Sequence, residues 1–169
     1  MAEIALHGVR ARGRVALVDD ADLDLVAAYR WRVLEQVRSN GTTVGPYATA
    51  TIPTGKRGGR KVLMHTLILG AKRIDHANGD GLDNQRGNLR PCTQSQNMAN
   101  RAGNRSASSR FKGVCWHSPS RLWSARIKKD GKVTGLGYFR DEADAVRAYD
   151  VAATALFGEF ARFNFGAVG

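Results

Sequence analysis

Eight side chains between His65 and Asn97 could do chemistry: His65, Asp75, His76, Asn78, Asp83, Asn84, Asn88 and Asn97. A carboxylate and an amide oxygen are hard ligands, better suited to magnesium or manganese than to zinc. A neutral imidazole beside them could take a proton from water for attack on phosphorus. A cation there would stabilise the scissile phosphate and the leaving 3′ oxygen. The pattern has a plainer alternative. Asn and Asp side chains bond to nearby backbone, so a loop rich in them is often only a turn. Asp75 and His76 are neighbours, so on a strand they point to opposite faces. Only a strand that ends there lets both reach one site.

The elements around these residues follow from local pattern. Met64 to Leu69 reads as a short helical turn and Arg73 to His76 as a short strand. A loop dense in turn formers, Asn78 to Asn84, comes next. Leu89 to Cys92 can return as a second strand, and Thr93 can cap a helix carrying Gln96, Asn97 and Asn100. The order is strand, loop, strand, helix.

The flanking segments carry less chemistry. Before residue 60, strands are expected at Val15–Leu17, from Trp31 and Val33, and across Ala48–Ile52, with Asp19 and Asp20 capping a helix through Leu23, Val26 and Ala27. Pro53 to Arg60 reads as a turn or loop. This block is a scaffold or a DNA-facing sheet through Arg10, Arg12 and Arg14. Residues 101–109 are Gly, Asn, Ser and Arg without apolar periodicity, which describes a basic linker. Beyond it, strands are expected at Gly113–Trp116, around Trp123–Lys128 and at Val133–Phe139, with Asp130-Gly131 as a hairpin turn. Asp141 to Phe157 reads as a helix with Ala145, Tyr149, Ala152 and Leu156 facing inward, ended by Gly158. Trp116 and Trp123 are expected in the core rather than as platforms for bases. Asn164-Phe165 is expected to close the fold with an aromatic anchor. If Trp123, Ala125 and Ile127 point inward, Arg126 and Lys128 point out.

Charge sharpens the choice of partner. The 169 residues include 26 Lys and Arg against 15 Asp and Glu, a formal charge of +11. Residues 110–139 alone hold seven basic groups and one acidic group. An extended basic surface suits a polyanion, although a merely solubilising face is the bland alternative. There is no apolar run long enough to span a membrane. Met1 to Arg14 lacks a signal-peptide core, so the cytoplasm is the expected location. Cys92 and Cys115 form no CxxC pair, and reduced, inert thiols are expected rather than a disulfide or a structural zinc.

The motif Met64-His65, Asp75-His76-Ala77-Asn78-Gly79, Leu82-Asp83-Asn84, Asn88-Leu89-Arg90 and Gln96-Asn97 with Asn100 resembles an HNH homing-type endonuclease of the phage and intron-encoded branch. That resemblance implies a ββα-metal module over residues 61–100. It implies Asp75 and Asn97 as ligands of one divalent cation, magnesium first and manganese second. His76 is then the general base, and Asn88 braces the loop and helps hold the histidine. His65, Asp83 and Asn84 are secondary candidates, with His65 packing or near phosphate. Arg90 is expected on phosphate or backbone.

Phe111-Lys112-Gly113-Val114, Trp123 to Ile127, Leu136-Gly137-Tyr138-Phe139, Ala148-Tyr149-Asp150 and Asn164-Phe165 resemble an AP2 DNA-binding domain, over residues 110–166. That family lays its three-stranded sheet in the DNA major groove. The resemblance places Lys112, Cys115, His117, Arg126 and Lys128 at the DNA. Gly135 departs from a DNA-contacting tryptophan of plant members, so no sequence preference carries over.

The whole chain is thus expected to be an α+β protein: a small α+β segment over 1–60, the nuclease module over 61–100, the linker over 101–109, and a three-stranded antiparallel sheet plus helix over 110–166. The expected activity is metal-dependent hydrolysis of double-stranded DNA, leaving a 5′ phosphate. One active site implies a nick by a monomer, and paired cuts would need a homodimer. The setting is a bacterial or phage-infected cytoplasm. A non-catalytic, regulatory DNA-binding protein is the alternative. A basic RNA-binding protein is a third reading and requires aromatic platforms on an open sheet.

Overall fold

The computed structural model describes residues 1–37, 43–55, 58–103 and 108–166. Lys56 and Arg57 of the expected turn, and residues 104–107 of the expected linker, lie outside the described residues. The architecture mixes short helices with small antiparallel sheets, as the α+β class requires. The chain divides into two compact units, Met1–Cys92 and Thr93–Gly169. The division falls inside the 61–100 segment.

In the first unit, β1 (Ala2–Ala5) pairs antiparallel with β2 (Val15–Val18). A 3-10 turn at Asp20–Asp22 leads into α1 (Leu23–Ala27). Three strands follow, β3 (Arg32–Val37), β4 (Thr43–Pro53) and β5 (Gly59–Leu63), with β4 in the middle. The strands run further into the Pro53–Arg60 stretch than turn composition suggests, because β4 and β5 stay paired to Pro53 and Gly59. Then α2 (Met64–Leu69) ends at Gly70, whose φ of +66° is left-handed backbone that glycine adopts without a Cβ clash. Finally β6 (Ile74–His76) pairs with β7 (Leu89–Pro91) across the long loop. Ala16, Val18, Val26, Trp31, Ala48 and Met64 form the centre of one apolar core, and Ile74 and Leu89 bring the short hairpin into it. The hairpin is too short to hold itself, so that shared core is what fixes its place.

In the second unit, α3 (Gln94–Asn100) starts with a reciprocal cap: Thr93 Oγ accepts from Gln96 N–H at 3.2 Å, and Thr93 N–H donates to Gln96 Oε1 at 2.8 Å. β8 (Val114–His117), β9 (Leu122–Lys129) and β10 (Lys132–Phe139) form an antiparallel meander. Asp130 and Gly131 turn the second hairpin with φ of +48° and +85°, the pairing that such two-residue turns favour. α4 (Glu142–Phe157) packs on the sheet through Ala145 and Val146 against Val114 and Ala125.

Three expectations need correction here. The buried stripe of α4 is Ala145, Tyr149, Ala153 and Phe157, so its second half sits one residue on from Ala152 and Leu156. Steps of four from Tyr149 keep these residues on one face as well as the expected spacing does. Trp116 is 40% exposed and meets Trp123 edge-on at 5.2 Å. It shares the inner face with Val114 and Trp123, of which Val114 lies in the helix core and Trp123 packs against it. The C-terminal aromatic anchor is only partial, because Phe165 is half exposed and meets the Phe111 ring edge-on at 5.1 Å, and polar bonds supply the rest. Asn164 N–H and Nδ2 donate to the buried Asp150 carboxylate, and Asn164 Oδ1 accepts from Lys112 N–H at 2.7 Å.

Candidate functional site

β6 ends at His76, and the chain turns at once: Gly79 N–H donates to the His76 carbonyl at 2.9 Å. Register places Asp75 opposite Arg90 and His76 opposite Leu89. Asp75 and His76 are both buried. Arg90 Nε and Nη2 donate to Asp75 Oδ2 at 2.9 and 2.8 Å. Arg90, expected on phosphate or backbone, is thus paired with the expected metal ligand inside the hairpin.

The loop after His76 is held by its own amides. Asn88 Oδ1 accepts from Asn78 N–H at 2.9 Å, and Asn88 Nδ2 donates to the Asp83 carbonyl at 2.8 Å. One side chain therefore ties both arms of the loop. Asp83 accepts from Asn78 Nδ2 at 2.8 Å, and Asp80 Oδ1 accepts from Leu82 N–H at 2.9 Å. Asn84 is wholly buried and donates Nδ2 to the Leu82 carbonyl at 3.0 Å. Asp83 and Asn84 thus both bond within the turn, as their residue types allow.

The N-terminal segment also grips this loop. Leu17 N–H donates to the Leu82 carbonyl at 2.9 Å, and Asn84 N–H donates to the Leu17 carbonyl at 2.8 Å, a parallel bridge onto β2. Asp19 Oδ2 accepts from Arg86 N–H at 2.8 Å. Arg86 Nε and Nη2 reach the two oxygens of buried Asp22 at 2.8 and 2.7 Å, and Nη2 also donates to the Ile68 carbonyl at the end of α2. Asp19, expected as a helix cap, makes no side-chain cap bond and holds the loop instead. Arg10 and Arg14, expected in a scaffold or at DNA, donate to the Glu35 carbonyl and carboxylate.

His65 on α2 is buried, and its imidazole lies 4.9 Å from that of His76 with the rings at 83°. Tyr47 of β4 completes the group, 5.6 Å from His65 and 5.8 Å from His76. Burial, with a smaller contribution from the His76 charge, pushes the His65 pKa down to about 4. His76 is also lowered, by burial first, while the nearby Asn84 amide and the charges of Asp75, Asp80 and Asp83 oppose the shift. Both imidazoles are neutral at neutral pH, the form that accepts a proton. Sequence reading missed Tyr47, Asp22 and Arg86. Their partners are 18 to 64 residues away, beyond any local pattern, and the acidic run at 19–22 looked like caps.

Asn97 lies on α3 in the second unit and is half-buried. Lys112, expected at a phosphate, donates its ammonium to the carbonyls of Met98 at 2.9 Å, Ala99, and Arg101 at 2.8 Å. The last carbonyls of a helix have no N–H partners within it, and a lysine satisfies them. Arg126 and Lys128 are exposed on the outer face of β9, between inward Ala125 and Ile127. Arg126 Nη2 lies 3.0 Å from Cys115 Sγ. His117 Nδ1 is 2.7 Å from Ser120 Oγ, and its ring lies 5.0 Å from exposed Tyr138. Cys92 and Cys115 are free thiols. Burial and the Asp75 charge push the Cys92 pKa up. No described helix is long and apolar enough to cross a membrane.

No family model matches the chain. It is 34% identical over 106 residues to an uncharacterized HNH endonuclease of Acanthamoeba polyphaga mimivirus, covering 60% of this chain and 54% of that one. It is 47% identical over 58 residues to an AP2/ERF and B3 domain-containing protein of Oryza sativa subsp. japonica, covering 34% and 16%. It is 30% identical over 91 residues to Protein 3.8 of Escherichia phage T7, covering 54% and 74%. The chain thus spans about half of the first relative and a small part of the second.

Proposed function

We propose that this chain, which belongs to the family of Protein 3.8 of Escherichia phage T7, is a DNA endonuclease of the HNH type that hydrolyses phosphodiester bonds. The observation that carries this reading is His76: buried, neutral, at the end of a strand, beside a loop braced by Asn88. The similarity to an HNH endonuclease supports it. His76 takes the proton from the attacking water. The carboxylates of Asp75, Asp80 and Asp83 and the Asn84 amide favour the imidazolium once it forms. Asn88 holds the loop, and Arg90 holds the Asp75 carboxylate in one orientation.

The Asp75 carboxylate is the donor type a hard cation takes. Magnesium, or manganese as second choice, held by Asp75 would supply charge at the scissile phosphate and the leaving 3′ oxygen. The exposed Arg126 and Lys128 face supplies affinity for double-stranded DNA through phosphates. A monomer in the cytoplasm of a bacterium or phage-infected cell nicks one strand.

Plasmid cleavage tests this. Supercoiled DNA turning to open circle with magnesium, but not with EDTA or with His76→Ala, is the expected result. Tight binding without cleavage by wild type favours the second reading, a non-catalytic DNA-binding protein. The Arg90–Asp75 pair gives that reading its support, since it already neutralises the carboxylate.

A further inference from the structure

We propose that Tyr47 and His65 are positioning residues whose two rings hold the His76 imidazole against them. The inference rests on His76 being the general base. Three elements contribute one ring each: Tyr47 from β4, His65 from α2 and His76 from β6. The three centroid separations are 4.9, 5.6 and 5.8 Å, so the rings form a closed triangle. His65 meets both other rings near the perpendicular, at 74° and 83°, while Tyr47 lies tilted 35° from His76. Edge-to-face contacts of this kind favour particular ring orientations.

Tyr47 is itself held from outside. Gly81 in the loop lies so close that a Cβ there would fall 2.5 Å from the Tyr47 ring carbon Cδ1. The loop backbone therefore packs on Tyr47, and Tyr47 in turn packs on His76. This matters because β6 is only three residues long and ends at His76. Backbone pairing alone leaves its χ angles free. A base works only when its nitrogen is held in reach of the proton it takes, and a displacement near 1 Å costs about a hundredfold. His65 cannot substitute as the base at neutral pH with equal effect, since its lowered pKa makes it the weaker proton acceptor.

The test uses the full chain with Tyr47→Leu, Tyr47→Phe and His65→Leu. Cleavage kinetics on a nicked-circle assay are run beside aromatic NMR of the His76 ring signals. Tyr47→Leu should lower kcat by about tenfold or more with KM changed by less than about twofold. Tyr47→Phe should recover most of that loss, because the ring rather than the hydroxyl does the positioning. His65→Leu should resemble Tyr47→Leu, and it replaces that variant if Tyr47→Leu does not fold. Equal loss in the Leu and Phe variants, or no loss in folded Leu variants, overturns the clamp. If wild type binds DNA but never cleaves it, the nuclease reading fails and the NMR arm decides the clamp alone. His76 signals that move in Tyr47→Leu and stay in Tyr47→Phe support it, and signals that stay in both overturn it.

Discussion

Replacing His65 by phenylalanine should remove about 2 kcal/mol of acid sensitivity from the fold. In the folded protein burial holds the His65 pKa at about 4, against 6.5 for an ordinary imidazole. The unfolded chain takes up its proton near pH 6.5, and the folded chain resists until about 4. Between these values the unfolded state binds more protons, so stability falls as pH falls. The whole gap is worth about 3 kcal/mol, of which about 2 kcal/mol is lost between pH 7 and pH 5. Most carboxylates titrate below that window, so they contribute little to it. His76 is lowered as well and adds a loss of the same sign in both proteins. Urea unfolding of wild type and His65→Phe at pH 7, 6 and 5 isolates the difference. Phenylalanine keeps a ring in the site and has no proton to gain. If both proteins lose the same stability between pH 7 and pH 5, the reasoning from burial is wrong.

Four further outcomes follow from the geometry. The acid limb of the cleavage rate should lie below pH 6.5, because His76 is held below its ordinary value, and a limb at or above 6.5 in a pH–rate profile would refute its burial. Gly113→Ala should destabilise by about 2 kcal/mol or more in thermal unfolding, since its φ is +76° and a Cβ would enter the Tyr149 ring and lie 2.6 Å from the Arg126 carbonyl. Gly131→Ala, with φ of +85° and nothing within 4 Å, should cost only the backbone strain, about 1 kcal/mol. Arg126→Ala should weaken DNA binding and reduce the salt slope of log K by about 1, measured by fluorescence anisotropy across a salt series.

Much of the local structure was legible because it rests on local causes. α2 occupies Met64–Leu69, and α3 begins after the Thr93 cap with Gln96 answering it. Asp130-Gly131 makes the expected hairpin, and alternation along β9 puts Ala125 and Ile127 in and Arg126 and Lys128 out. In each case a residue type meets a backbone need within four positions. The buried stripe of α4 was only half legible. Helical spacing admits two sets of residues, and only the sheet beneath selects Ala153 and Phe157.

The candidate site divides in the same way. Residue types alone mark the polar set from His65 to Asn97 as able to hold a hard cation beside a base, and charge and alternation mark a basic face on β9. The separate roles of Asp75, His76, Asn88 and Asn97 are what the HNH resemblance implies, and the partners of Asn88, Asn78 and Asp83, lie within ten residues of it. The state of those groups is a tertiary property. His76 is neutral because the core removes water from it, and Asp75 meets Arg90 because two short strands pair. Lys112 turns from an expected phosphate contact into a helix cap because three carbonyls lie within its reach. Tyr47 reaches His76, and Asp22 reaches Arg86, across 29 and 64 positions of chain. Chemical type is carried by each residue alone, whereas solvation and partnership depend on what the folded chain brings within a few ångströms.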